Sequence, residues 1–107
     1  MPNEHDTNKK LNSRQRAFLR GLANTMDAIF QVGKGGVNEQ MINQLDEALT
    51  ARELLKVRVL ETSPVKASEA ARLLSEPLGA QIVQIIGHTV VLYRMSDERK
   101  EPIALPK

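Results

Sequence analysis

Two strand-forming runs near the end of the sequence constrain the fold most, because only two residues separate them. Residues 81–86 (QIVQII) and 89–94 (TVVLYR) are rich in β-branched side chains, and Gly87-His88 lies between them. A two-residue connection that begins with glycine fits a type II′ turn, whose twist matches that of the flanking strands. The sequence therefore predicts an antiparallel hairpin at residues 81–94.

The first part of the chain predicts a helix followed by a short strand. Ser13 is the predicted N-cap of a helix over about residues 14–26. Its core stripe recurs at helical spacing, at Phe18, Leu22 and Met26, and is widened by Leu19 and Ala23. Residues 29–32 (IFQV) are strand-forming and are followed at once by a glycine-rich loop.

The middle of the chain repeats this alternation. Asn38 predicts the N-cap of a second helix over residues 39–52, and residues 54–60 then alternate as a half-buried strand. Ser63-Pro64 predicts the start of a third helix that ends near Leu78, before Gly79. Pro77 removes a backbone N–H and so weakens the last turn of this helix.

These elements predict a two-layer α+β domain with the order α-β-α-β-α-β-β. Helices between strands require crossover connections and parallel pairing, whereas the final hairpin adds an antiparallel pair, so the four-stranded sheet is mixed. Residues 1–12 are polar and lack apolar periodicity, which predicts a flexible tail. Residues 13–107 are then one folded domain.

Composition excludes several classes of protein. The chain has 107 residues, which is one domain, and it has no cysteine, which excludes a disulfide scaffold and a cysteine-based zinc or iron–sulfur site. The lack of cysteine also fits a reducing cytoplasm, where we expect the protein to reside. No apolar run is long enough to span a membrane, and the polar N-terminus does not resemble a signal peptide.

The distribution of charge points to an anionic partner. The formal net charge is only +2, but the segment from Lys9 to Met26 has no acidic residue and five basic ones, namely Lys9, Lys10, Arg14, Arg16 and Arg20. The chain has only three aromatic side chains, Phe18, Phe30 and Tyr93, so it offers few platforms for base stacking. If the partner is a nucleic acid, we expect the protein to bind mainly its backbone.

The loop Gly33-Lys34-Gly35-Gly36 is the most informative motif, since it joins a predicted strand to a predicted helix. It is not a P-loop, because no Lys-Ser or Lys-Thr follows, and it is not a dinucleotide fingerprint, because Asn38 replaces the third glycine. The G-x-x-G spacing matches the nucleic-acid clamp of KH domains. A tight strand-to-helix turn without a ligand explains these four residues equally well.

Other polar residues add a basic surface but no catalytic group. Lys56 and Arg58 alternate onto one face of their strand, and His88 lies in the hairpin turn. His88 has no second ligand near it in sequence, so we expect neither a metal site nor another cofactor. No nucleophile elbow or opposed carboxylate pair is present, and we therefore expect no enzymatic activity.

The sequence resembles the CRM domain (chloroplast RNA splicing and ribosome maturation), whose stand-alone bacterial form is the YhbY-like protein. The similarity covers residues 13–107. It rests on four segments that occur in the same order: residues 16–23 (RAFLRGLA), 30–37 (FQVGKGGV), 54–57 (LLKV) and 84–94 (QIIGHTVVLYR). Four ordered segments are far more specific than a single G-x-x-G. One departure is His88, where the family usually has Lys or Arg.

The resemblance implies a domain related to the C-terminal domain of translation initiation factor three. It implies a non-catalytic RNA-binding protein that associates with 23S ribosomal RNA or precursors of the large (50S) ribosomal subunit, as a monomer without a small-molecule substrate. Carried over by position, the RNA-binding residues are Gly33, Lys34, Gly35, Gly36, Arg14, Arg16, Arg20, Lys56 and Arg58, with His88 at the hairpin turn.

An alternative function is a ribosome-associated adaptor that contacts protein rather than RNA. Its contact segment would be the apolar Ile103-Ala104-Leu105 near the C-terminus. The two hypotheses differ in salt dependence, because phosphate contacts weaken as salt rises whereas apolar contacts do not.

Overall fold

The computed structural model of this chain describes residues 10–98 and 102–107. Its elements have the predicted order: α1 (Ser13–Ala23), β1 (Phe30–Val32), α2 (Glu39–Arg52), β2 (Leu54–Val59), α3 (Ala67–Leu78), β3 (Gln81–Ile86) and β4 (Thr89–Tyr93). They form an α+β fold with one four-stranded mixed sheet, which confirms the predicted fold class. Residues 1–9 of the predicted tail lie outside the described residues, whereas Leu11 is buried and belongs to the folded part.

The sheet brings three connecting segments to one of its ends. The strand order is β1-β2-β4-β3, with β1 parallel to β2 and the other pairs antiparallel. Val32 pairs with Val59, and the Val59 N–H donates to the carbonyl oxygen of His88 at 2.6 Å. Residues 33–38, 60–66 and 87–88 therefore meet at this end of the sheet, which we call the loop end.

The two faces of the sheet bury different helices. Alternate strand residues such as Leu55, Val57 and Leu92 pack against α2 and α3. The residues between them, including Leu54, Val91 and Tyr93, pack against α1 and the C-terminal segment. The prediction that the helices share a single layer is therefore wrong, because α1 covers the opposite face from α2 and α3.

Helix α1 packs through only part of the predicted stripe. Leu19 and Ala23 are buried against the sheet, whereas Phe18 and Leu22 are 40% and 38% exposed. Two apolar rows lie side by side on this helix, separated by about 100° around its axis. The sequence alone does not show which row packs against the sheet. The small side chain of Ala23 allows α1 to approach the sheet closely.

Side-chain caps explain where the helices begin. Asn12, not Ser13, is the N-cap of α1, and its side chain forms a capping box with Gln15. Asn38 is the N-cap of α2, as predicted, and its Oδ1 accepts the Met41 N–H at 2.9 Å. Helix α3 begins at Ala67 rather than at Ser63-Pro64, since the Ser63 hydroxyl accepts the Val65 N–H in a local turn.

The other end of α3 and the hairpin follow the predictions. Helix α3 ends at Leu78 despite Pro77 in its last turn, and Gly79 adopts a left-handed φ of 63°. In the hairpin, Gly87 has a φ of 55°, whereas His88 stays outside the left-handed region. That combination agrees with the predicted type II′ turn.

A buried carboxylate attaches the C-terminal segment to the domain. Glu53 is fully buried at the end of α2, and its φ of 68° is unusual for a residue other than glycine. Its Oε2 accepts the Ser96 N–H at 2.8 Å and its Oε1 accepts the Ile103 N–H at 2.7 Å. Burial and the neighbouring Glu53 raise the pKa of Tyr93 to about 12.

Arg94 joins the two helices on the other face. Its guanidinium donates to the Asp46 carboxylate at 2.7 Å and to the carbonyl oxygen of Leu78 at 2.9 Å. It also donates to the Thr50 hydroxyl at 3.0 Å. One side chain thus binds α2 and satisfies a carbonyl at the end of α3, and its role in this fold is structural.

Candidate nucleic-acid interface

The glycine loop, residues 33–36, forms a tight turn at the loop end of the sheet. The Gly36 N–H donates to the carbonyl oxygen of Gly33 at 2.9 Å, so this amide is used within the turn. Lys34 and Gly35 form the exposed tip. Within residues 10–98 and 102–107, no group accepts a hydrogen bond from either of these two N–H groups. The tip thus presents two backbone donors and one ammonium to an incoming anion.

Only one glycine of this loop is conformationally required. Gly36 has a φ of 67°, and Pro64 fills the space where its Cβ would be. The space around Gly33 and Gly35 would accept a Cβ at ordinary van der Waals distances. The fold itself therefore requires glycine at position 36. At Gly33 and Gly35 the fold does not require glycine, yet the absence of a side chain leaves the backbone accessible.

The start of α2 lies directly behind the glycine loop. Its N-cap, Asn38, satisfies one of the first-turn N–H groups, and the positive end of the helix dipole points toward the loop end. Glu39 is exposed in this first turn, and its carboxylate opposes the approach of a second anion. The loop tip, rather than the helix terminus, is therefore the better place for a phosphate.

Further cations lie at the loop end beside the glycine loop. Arg58 is exposed and pairs in register with Gln31 of β1 and Thr89 of β4. His88 is exposed in the neighbouring hairpin turn, and Lys66 is exposed at the N-cap of α3. In the part of the chain that the structure describes, none of these side chains forms an ion pair.

The start of α1, with Arg14, lies away from the glycine loop. The Leu11 N–H donates to the Gln81 side chain at 2.8 Å, which places the start of α1 at the opposite end of the sheet from the glycine loop. Arg14 is exposed there, and Arg20 is half-buried in the last turn of the helix. The structure thus divides the basic surface into a loop-end group (Lys34, Arg58, Lys66 and His88) and an α1 group (Arg14 and Arg20).

Two of the predicted residues have structural contacts. The Arg16 guanidinium donates to the carbonyl oxygens of Ile82 and Val83, where the pairing of edge strand β3 is irregular. The Lys56 ammonium donates to the carbonyl oxygens of Ala23 and Met26, each at 3.0 Å, just past the end of α1. Both cations therefore hold α1 against the sheet, and Lys56 also compensates the negative end of the helix dipole.

Sequence reasoning missed Lys66 as a member of the loop-end group. The predicted helix start at Ser63-Pro64 placed Lys66 inside a helix. Its actual position is the N-cap of α3, where its side chain makes no capping bond. The local turn at Ser63 would have indicated the later start, since serine competes for nearby backbone N–H groups.

The residues that the structure describes hold neither a metal-binding cluster nor a helix that could span a membrane. Residues 10–98 and 102–107 contain no group of three His, Asp or Glu side chains that could bind a metal ion. No helix within those ranges is both long and apolar enough to cross a membrane. His5 lies outside the described residues.

Comparison with known proteins gives a consistent family. The model of the CRS1 / YhbY (CRM) domain matches residues 11–94. The chain is 49% identical to "Probable RNA-binding protein YqeI" of Bacillus subtilis, over 90% of this chain and 99% of that one. It is 38% identical to an "RNA-binding protein" of Haemophilus influenzae, over 91% of this chain and 96% of that one.

A solved structure extends the comparison to the fold. The solution structure of a Staphylococcus aureus protein, described as a candidate RNA-binding protein, superposes with a TM-score of 0.75 at 48% sequence identity. The match covers 91% of this chain and 100% of that chain.

Proposed function

The chain belongs to the CRS1 / YhbY (CRM) domain family, and on that premise we propose that it binds RNA through the loop end of its sheet. The observation that best supports this proposal is the exposed tip of the glycine loop, where two backbone N–H groups lack a partner within the described residues. Phosphate oxygens accept such donors readily, and adjacent cations strengthen the contact. The names of the relatives in Bacillus and Haemophilus support RNA as the partner.

The proposed interface has a primary and a secondary part. The loop-end group binds the RNA backbone through Gly33, Lys34, Gly35, Arg58 and His88, with Gly36 holding the turn. Arg14 and Arg20 extend the contact along α1 to a second segment of RNA. Arg16 and Lys56 contribute indirectly, because they hold α1 in the position from which its arginines face the RNA.

The proposed biological role is assistance in assembly of the large ribosomal subunit. In this proposal the protein acts in the cytoplasm as a non-catalytic monomer, and 23S ribosomal RNA or its precursor is the partner. Crosslinking the protein to RNA in cells and sequencing the attached fragments tests this directly. We expect enrichment of precursor 23S fragments, and we expect Lys34→Glu to reduce it. Fragments without enrichment in large-subunit RNA would reject the role.

The alternative of a protein adaptor has less support in the structure. Its proposed contact segment is already in use, since the Ile103 N–H donates to Glu53 and the side chains of Ile103 and Leu105 pack beside α1. Sedimentation with ribosomal particles separates the two functions. RNA binding predicts release at high salt and a weaker association of Lys34→Glu, whereas an adaptor would remain bound in both cases.

A further inference from the structure

A groove beside the glycine loop offers apolar surface that the proposed contacts with the RNA backbone do not involve. It has a volume of about 600 Å³ and lies between the first turn of α3 and the β3–β4 turn. The groove exists because α3 starts late, at Ala67, so residues 60–66 cross the end of the sheet as a loop. Ile85 faces this side of the sheet through its pairing with the buried Val90, yet it remains 40% exposed.

The lining of the groove combines an apolar floor with a cationic rim. Pro64, Val65 and Ile85 supply apolar surface, while Lys66 and His88 supply donors for an anion. Lys66 is the N-cap of α3, and its side chain has no oxygen that could accept the N–H groups of that first turn. Glu61 is the acidic side chain of the lining, and an anion is therefore favoured on the Lys66 side.

The groove and the glycine loop are separated by a single layer of side chains. A Cβ on Gly33 would lie 3.7 Å from Leu60, and Pro64 packs against Gly36. Both Leu60 and Pro64 also line the groove. The groove therefore lies directly beside the loop that is proposed to hold the RNA.

We propose that this groove receives one unpaired nucleotide of the RNA that the glycine loop holds, an inference that rests on the proposed function. The base lies against Ile85 and Pro64, and its phosphate is bound by Lys66, His88 and the start of α3. The volume suits one nucleotide, because ligand sites typically measure about 300–1,000 Å³. Proteins that recognise specific RNA sequences mostly take up unpaired bases, because such bases can leave the stack and contact side chains.

Two RNA duplexes test the proposal, one fully paired and one with a single bulged nucleotide. Only the bulged duplex offers a base that can leave the helix and be buried against Ile85 and Pro64, so the wild-type chain should prefer it by about tenfold. Ile85→Asn should abolish this preference, so that the two duplexes bind with about equal affinity. Ile86→Asn is the matched control, because Ile86 is an adjacent exposed isoleucine that faces the opposite side of the sheet.

Methyl NMR gives a direct readout in the intact chain. The chain has six isoleucines, and addition of the bulged duplex should shift the Ile85 methyl resonance by ring current more than that of Ile86. The paired duplex should leave the Ile85 resonance close to its free position. Equal shifts of Ile85 with both duplexes, or an unchanged bulge preference in Ile85→Asn, would overturn the groove assignment.

A third variant separates failure of the groove from failure of the proposed function. Lys34→Glu should weaken binding of both duplexes by a similar factor and leave the bulge preference intact. If Lys34→Glu weakens binding but the wild type shows no bulge preference, the loop binds RNA and the groove does not. If the wild type binds neither duplex, the proposed function is wrong and the groove assignment falls with it.

Discussion

The ring of Pro64 packs against Gly36, so that a Cβ built on Gly36 would lie 3.0 Å from the proline Cγ. This contact joins the loop after β1 to the loop after β2. Together with the left-handed φ of Gly36, it fixes the path of the chain into α2. The exposed tip of the glycine loop, Lys34-Gly35, is thus held on a rigid base.

The two outer glycines of the loop should respond differently to alanine. Gly36→Ala should lower the free energy of unfolding by about 1–3 kcal/mol, because a left-handed φ is strained with a Cβ and Pro64 must move. Gly33→Ala should change it by less than about 0.5 kcal/mol, since its Cβ meets only ordinary contacts. Urea denaturation of both variants checks this, and equal losses would contradict the contact at Pro64.

Lys56 and Arg58 lie two residues apart on one strand face but should have separable roles. Lys56→Met removes two hydrogen bonds from a charged donor to carbonyls near the end of α1, and we expect a loss of about 1–2 kcal/mol in unfolding free energy. Arg58→Gln should leave stability almost unchanged but reduce the slope of log affinity against log salt by about 0.7–0.9. The opposite pattern would mean that Lys56, not Arg58, contacts RNA.

Glu39 is expected to oppose RNA binding while it stabilises the fold. Its carboxylate interacts favourably with the positive end of the α2 dipole but repels phosphate at the neighbouring loop. Glu39→Gln should therefore raise RNA affinity about two- to threefold at low salt, with convergence at high salt, and should slightly lower the melting temperature. A decrease in affinity would place the RNA away from the start of α2.

Tyr93 should make the fold sensitive to alkaline pH. Its pKa is about 12 in the folded chain, against 10.0 in its ordinary environment. Between these two values the unfolded chain releases the phenolic proton first, so stability is complete below pH 10 and falls as pH rises toward 12. The loss reaches about 2 kcal/mol near pH 12. Denaturation at several pH values should show a shallower fall for Tyr93→Phe than for the wild type.

The sequence predicts those parts of the fold that local chemistry decides. Asn38 caps α2 as predicted, and Gly87 allows the tight turn between β3 and β4. The predicted start of α3 at Ser63-Pro64 is wrong, because the Ser63 hydroxyl accepts the Val65 N–H in a local turn instead of capping a helix. The packed stripe of α1 is predicted in part. Leu19, Ala23 and Met26 pack as expected, but only contact with the sheet decides that Phe18 and Leu22 stay partly exposed.

The residues of the candidate site are likewise predictable only where local sequence decides their role. The glycine loop is visible as a motif, but the roles of Arg16 and Lys56 depend on carbonyl groups at least thirty residues away. Glu53 gave no sequence signal, because its burial depends on the C-terminal segment that folds back onto it. Periodicity predicts on which face of a helix or strand a side chain lies, but it does not predict which distant backbone groups that side chain contacts.

Affinity for a fragment of 23S ribosomal RNA, measured against salt, tests the glycine loop most directly. Lys34→Gln and Arg72→Gln each remove one positive charge, but Arg72 lies on the exposed side of α3, in ion pairs with Glu69 and Glu76. We expect Lys34→Gln to bind more weakly at low salt, with a slope smaller by about 0.7–0.9, and Arg72→Gln to follow the wild type. Wild-type affinity that does not change with salt, or a Lys34→Gln curve that coincides with the wild-type curve, would contradict phosphate binding at the loop.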